Sequence, residues 1–195
     1  TGHGVPGGVI SFFGLGLTEH IISKHQIKDP QIFLQYLDNE MNNLLYKGDN
    51  DFFFDGMDVA MCSFDIKTQV MKFSGAKRPV YIVRNQELYK LEGGQFPVGK
   101  FLENSKEFPT REMQMQENDK VYLFSDGFRV QTGDLNKKRY SEERFKNFLK
   151  EISNNSFKEQ KRMLEKELED WMGMEEQVDD IVVVGFNPLK YKRSS

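Results

Sequence analysis

Hydrophobic periodicity changes twice along this chain, and those changes restrict its architecture more than any average property does. From Val9 the apolar positions Val9, Phe13, Leu17 and Ile21 recur at helical spacing, with Ile10, Phe12 and Ile22 widening the stripe, so residues 7–25 are expected to form a buried helix. Asp29 ahead of Pro30 supplies the cap and first turn of a second helix, whose apolar face is Leu34, Leu37, Met41, Leu44 and Leu45. The period then shortens. DVAMCSF (58–64), VMKFSGA (70–76), VYIVR (80–84) and ELYKL (87–91) are short runs between polar turns, the pattern of an antiparallel meander. A Gly- and Pro-rich loop over 93–109 leads to the alternating REMQMQ (111–116) and the fully apolar VYLF (121–124). The helical period returns with Ser141 ahead of Phe145, Phe148, Leu149 and Ile152, and with a Ser156/Glu159 capping box ahead of Leu164, Leu168 and Trp171. A last apolar run, IVVVGF (181–186), reads as a buried strand. Helices, antiparallel strands, helices and a strand, in that order, give an α+β fold with helices packed on antiparallel sheets.

Composition removes several function classes. Lys and Arg total 27 against 30 Asp and Glu, so no broad electropositive face for nucleic acid is expected. Cys62 is the single cysteine, which rules out an internal disulfide and a cysteine-rich zinc site. No apolar run is long enough to span a membrane and no leader peptide is visible, so the expected setting is cytoplasmic, without membrane contact by this domain. Neither a G-x-S-x-G elbow nor an H-E-x-x-H helix occurs, against serine hydrolase and zinc protease chemistry. With 195 residues the chain suits one domain, expected over 1–188, with a frayed basic tail over 189–195.

Two acidic positions share an unusual context. Asp126 stands at the end of one apolar strand, and Asp179 and Asp180 stand at the start of another. If those strands are antiparallel neighbours, the carboxylates meet and form a hard oxygen site suited to Mg²⁺ or Mn²⁺. An ordinary turn at Asp126-Gly127 and a solvated strand start at Asp179-Asp180 explain the same spacing, and from spacing alone this plainer account stands slightly ahead. Asp55 and Asp58 could add carboxylates, or could cap a strand. Lys77 and Arg78, in the turn SGAKRPVY, could contact a phosphate, or could be solvated turn charges. The opening TGHG combines Gly2 and Gly4, which let backbone approach an anion ahead of a helix, with His3, a possible general acid that could equally be a structural hydrogen-bonder. Cys62 lies in a strand without a base nearby and reads as core.

Taken in order, TGHGVPGG (1–8), DGMDVAMCSFD (55–65), FSGAKRPVYIVR (73–84), FPVG (96–99), VYLFSDGF (121–128) and QVDDIVVVGF (177–186) resemble the SpoIIE/RsbU-type bacterial serine phosphatases, a branch of the metal-dependent PP2C (PPM) superfamily. The likeness runs over essentially the whole chain, and EDWMGMEEQVDD (169–180) is similar to versions found behind sensory or repeat modules. It implies an α-β-β-α sandwich with two divalent cations, Mn²⁺ or Mg²⁺, and a metal-activated water that attacks phosphorus without a phosphoenzyme. Asp126 matches one metal ligand and Asp179 another, with Asp180 as its alternative. The implied partners are a phosphoprotein substrate, such as an anti-sigma-factor antagonist, and an upstream sensor or repeat domain.

Departures from the family pattern add expectations of their own. The aspartate that precedes TGHG in the family, and the strands before it, are absent from a chain that starts at Thr1, so an N-terminally truncated domain with weak or no metal binding and low or no activity is expected. Val130 and Asp134 stand where relatives carry an acidic residue and a glycine, and Lys77 and Arg78 stand where they carry Asn or His. The alternative implied by these departures is a degenerate module used for partner binding or homodimer formation.

Overall fold

The structure, a computed structural model, describes residues 4–45, 56–100, 106–133 and 137–190, with only the backbone for residues 4–6 and 45. The chain divides into two units, one of Thr1–Pro79 with Leu91–Gln114 and one of Val80–Lys90 with Met115–Ser195.

In the first unit, α1 (Gly4–His20) runs through a π-helical turn (Ile21–His25) towards α2 (Pro30–Leu45). The Asp29 carboxylate caps α2 by accepting from the amides of Gln31 at 3.0 Å and Ile32 at 3.3 Å, as the Asp-Pro pair predicted. Strands β1 (Val59–Asp65), β2 (Val70–Ala76) and a later strand, Arg111–Gln114, form an antiparallel sheet with β2 in the centre. Ile10, Ile21, Phe33, Leu34, Leu37 and Met41 from the helices bury against Ala76, Val98 and Phe108. The expectation of a buried α1 needs correction. Val9, Phe12, Phe13, Leu15 and Ile22 are exposed, and the inward face is instead the one carrying Ile10, Gly14, Leu17 and Ile21. Apolar residues surround this helix, so spacing alone does not single out a face. Gly14 selects it, because a Cβ there would lie 2.7 Å from the Met57 methyl group.

In the second unit, β3 (Val80–Arg84), β4 (Glu87–Leu91), β6 (Lys120–Phe124) and β7 (Val183–Phe186) form a sheet in the order β4-β3-β6-β7, where β5 denotes Arg111–Gln114 of the first unit. The runs between 58 and 91 are therefore two hairpins in different sheets rather than one meander. The second edge of β2 pairs with β5 and that of β3 with β6, and the chain changes sheet through Lys77, whose φ is +60°, and Pro79. Helices α3 (Gly127–Val130), α4 (Glu142–Ile152) and α5 (Phe157–Met172) complete the unit. Ser141 and Ser156 cap α4 and α5, each accepting from the amide three residues on at 3.3 Å. The core is aromatic: Phe128 packs on Tyr140 and Phe145 with ring centres 4.9 and 5.0 Å away. β7 is an edge strand with Val182 and Val184 exposed on one side, so the last apolar run is half-buried rather than fully buried. Among the described residues no helix is long and apolar enough to cross a membrane.

Candidate active site

The site starts from the pairing of β6 with β7. The register Val121↔Phe186 to Phe124↔Val183 is antiparallel, so the end of β6 lies beside the start of β7. Ser125 continues the pairing. Its amide donates to the Val182 carbonyl at 3.0 Å, while its hydroxyl donates to the Asp180 carbonyl at 2.8 Å and accepts from the Val182 amide at 3.0 Å. Asp126 follows in αR conformation as the first residue ahead of α3, and its side chain does not cap that helix. Gly127 comes next because nothing larger fits: a Cβ there would lie 2.3 Å from the Asp180 carbonyl oxygen. Phe128, 1% exposed, anchors α3 in the aromatic core. The carboxylate-bearing residues Asp126 and Asp179-Asp180 thus occupy facing segments, meeting the geometric condition set by the sequence. Asp126 and Asp179 are half-buried and Asp180 is exposed.

The segment leading to Asp179 is pinned from several sides. α5 ends at Gly173, whose φ of +57° suits a glycine and whose amide returns to the Glu169 carbonyl at 2.9 Å. The Gln131 side chain, fully buried, donates to the Glu176 carbonyl at 2.9 Å and accepts from the Val178 amide at 3.1 Å. Gln177 donates to the Asp179 carbonyl at 2.8 Å, and the Asp179 carboxylate accepts from the Asp180 amide at 2.8 Å. On the other flank of α3, Arg129 donates to Glu142 at 3.1 Å. Glu142 also accepts from Lys146, Lys90 and the Tyr81 hydroxyl at 2.8–2.9 Å, and these donors, Lys146 foremost, hold its carboxyl down at about 2.

The other sequence candidates fall in the first unit or outside the description. Arg78 pairs with Asp58 at 3.1 Å and is 16% exposed, while Lys77 approaches the same carboxylate at 4.0 Å and is 51% exposed. Asp58 is therefore an internal counter-charge to the two cations. Their turn is held by close backbone approach: a Cβ on Gly75 would lie 2.1 Å from the Arg78 carbonyl oxygen. Cys62 is half-buried rather than fully in the core, and burial pushes its thiol up to about 12. Gly4 is the first residue of α1, and Gly2, His3, Asp55 and Asp134 lie outside the described residues.

Asp126 and Asp179 or Asp180 provide hard oxygen donors without sulfur or imidazole, which suits Mg²⁺ or Mn²⁺. Among the described residues no three His, Cys, Asp or Glu side chains converge on one point. Two carboxylates remain a workable protein contribution, because Mg²⁺ keeps several waters and is often held by one or two carboxylates plus substrate phosphate. Sequence reading missed Ser125, Gln131 and Gln177, the residues that hold the acidic segments. The signal for Gln131 was present as a lone uncharged amide between apolar Val130 and the glycine turn at Gly133.

The family model for stage II sporulation protein E matches residues 1–187. The chain belongs to the SpoIIE family. This SpoIIE-type domain superposes on the SiaA-PP2C domain of Pseudomonas aeruginosa with a TM-score of 0.83 at 24% identity, covering 94% of this chain and 71% of that one. For the RsbU and RsbW domains of Rv1364c from Mycobacterium tuberculosis the TM-score is 0.70 at 18% identity, covering 95% of this chain and 48% of that one. For the PP2C phosphatase domain of SpoIIE from Bacillus subtilis with a fragment of its regulatory domain, it is 0.68 at 18%, covering 95% and 51%. The SpoIIE-type chain thus spans about half the length of the last two. At these identities the likeness establishes the fold, an α+β PP2C fold of antiparallel sheets and helices. No match was found among curated protein sequences.

Proposed function

We propose that this domain, over residues 1–188, is a metal-dependent protein serine/threonine phosphatase that removes phosphate from a bacterial signalling protein in the cytoplasm, with an anti-sigma-factor antagonist as the substrate suggested by family analogy. The observation that carries the reading is the β6–β7 register, which sets the strand end bearing Asp126 beside the strand start bearing Asp179 and Asp180. Metal dependence is supported by the fold neighbours RsbX, in complex with magnesium, and SpoIIE of Bacillus subtilis, presoaked with Mn. Asp126 and Asp179, with Asp180 as the alternative, would hold the two divalent cations. When bound, such cations supply a Lewis acid for the phosphoryl oxygens and a bound water acidic enough to lose a proton near neutral pH.

The chain's own residues have distinct tasks in this reading. The Ser125 hydroxyl and the Gln131 amide keep the two acidic segments at fixed spacing, so their carboxylates need no reorganisation when a cation arrives. His3 would protonate the leaving seryl oxygen, and the backbone at Gly2 and Gly4 would admit a phosphoryl oxygen. Lys77 and Arg78 would contact the phosphate, Lys77 being the more exposed of the two.

The test is hydrolysis of a small aryl phosphate in Mn²⁺. Asp126→Ala is expected to lower it at least about 100-fold, in line with the loss of a group that stabilises charge in the transition state. Unchanged turnover in that variant would refute the ligand assignment. Mn²⁺-dependent turnover by the unsubstituted protein that Asp126→Ala abolishes would exclude the alternative, a degenerate module used for partner binding or homodimer formation.

A further inference from the structure

Resting on the reading of Asp126 and Asp179 as metal ligands, we propose that the buried side-chain amide of Gln131 is the positioning residue that sets the separation of their two carboxylates. Gln131 terminates the helix that Asp126 begins. Its backbone is fixed on three sides: the amide donates to the Gly127 carbonyl at 3.1 Å, and the carbonyl accepts from the Tyr140 amide and the Trp171 indole, both at 3.0 Å. The side chain is 0% exposed, and both ends of its carboxamide are used. Nε2 donates to the carbonyls of Glu176 at 2.9 Å and Thr132 at 3.2 Å, and Oε1 accepts from the Val178 amide at 3.1 Å.

The pattern on the partner segment identifies what this amide does. A carbonyl of one residue and the amide two residues further on are the pair that a neighbouring parallel strand would engage. The Gln131 side chain stands in for such a strand opposite Gln177, and only a carboxamide presents one donor and one acceptor at that spacing. Val178, the last residue it grips, directly precedes Asp179. Val178 and Asp180 are exposed, so side-chain burial contributes little to fixing this stretch. Ser125 also ties the acidic segment, bonding Asp180 and Val182 beyond Asp179. Gln131 therefore grips the acidic segment before Asp179 and Ser125 grips it after, leaving the carboxylates between two fixed points. Groups that orient ligands in this manner affect metal affinity roughly 10- to 100-fold when removed.

The experiment uses Gln131→Met, nearly isosteric but with no donor and only a weak thioether acceptor, with Mn²⁺ affinity read by electron paramagnetic resonance of the free ion and fold stability read by thermal melting. Asp126→Asn is the control for the underlying reading, and it is expected to abolish saturable Mn²⁺ binding. Gln131→Met is expected to weaken Mn²⁺ binding roughly 10- to 100-fold with a cooperative melt retained. Unchanged Mn²⁺ affinity in Gln131→Met, beside abolished binding in Asp126→Asn, overturns the positioning role and leaves the ligand reading standing, even if melting drops. Unchanged binding in Asp126→Asn overturns the ligand reading and this proposal with it. Should Gln131→Met fail to fold, Val178→Pro removes from the exposed partner the bond that Gln131 Oε1 accepts next to Asp179, and the same two affinity outcomes decide.

Discussion

Replacing glycine by alanine at two positions should change stability in opposite directions, because the structure gives the added methyl group opposite surroundings. At Gly127 the new Cβ would lie 2.3 Å from the Asp180 carbonyl oxygen and 2.8 Å from its carbon, about 1 Å inside ordinary contact. Neither side yields easily. Gly127 is tied to α3, whose Phe128 is locked in the aromatic core, and the Asp180 carbonyl is held by the Ser125 hydroxyl at 2.8 Å. Overpacking of this kind costs about 1–3 kcal/mol, and displacing Asp180 sacrifices a hydrogen bond worth about 1 kcal/mol more. The gain from a stiffer unfolded chain offsets about 0.5–1 kcal/mol. The expected net loss for Gly127→Ala is about 1–3.5 kcal/mol, or roughly 2–14 °C in Tm for a chain of this size. At Gly8, exposed on α1, a Cβ meets nothing within 4 Å. Gly8→Ala should therefore gain about 0.5–1 kcal/mol of helix propensity and raise Tm by roughly 1–4 °C. Both are read by calorimetry on the purified protein. A Gly127→Ala melt within about 2 °C of the parent, or a Gly8→Ala melt lowered as far as that of Gly127→Ala, would refute the packing argument.

Two further outcomes follow from the ion pairs of the second unit. Asp119, 0% exposed, accepts from Arg84 at 2.7 and 2.8 Å and from the Gln116 amide at 2.8 Å, so Asp119→Ala removes the carboxylate paired with a mostly buried guanidinium. It should cost about 3 kcal/mol in urea unfolding, and Arg84→Met combined with it should cost less than the sum of the two, whereas strict additivity would show that the pair is not coupled. Glu142 is held at about 2, below its ordinary 4.5, so its stabilising contribution is present above about pH 4.5 and is lost as pH falls towards 2. Its side chain is 34% exposed, which screens the interaction to about 1–2 kcal/mol. The stability gap between the parent and Glu142→Gln should therefore be largest at neutral pH and close on acidification, and a gap independent of pH would contradict the assigned charge network.

Much of the fold was legible because local signals and burial agreed. Asp29-Pro30, Ser141 and Ser156 with Glu159 each start a helix where their side chains satisfy exposed amides, a requirement that operates within one turn of chain. VYLF and the end of IVVVGF became the paired strands β6 and β7, since short apolar runs between turn residues have few other ways to bury themselves. Where the apolar signal was redundant, the reading went astray. α1 is apolar around its circumference, and a glycine contact with Met57 decided which side turned inward. Likewise, the four runs from 58 to 91 have equal claim to one meander by pattern, and the partners β5 and β6, distant in sequence, drew them into two sheets.

By itself the sequence determined the family, the α+β class, the helix caps and the two acidic strand ends, because each is written in residues close together along the chain. Tertiary structure alone decided what surrounds the acids. It assigned Asp58 to Arg78 and Lys77 as a counter-charge, brought Ser125 onto Asp180 and Val182, and buried the Gln131 amide against a segment 45 residues away. Those contacts join donors and acceptors whose separation in sequence carries no periodic or local mark. Their energy arises only when a buried polar group must find a partner in the folded chain, and the identity of that partner is a property of packing.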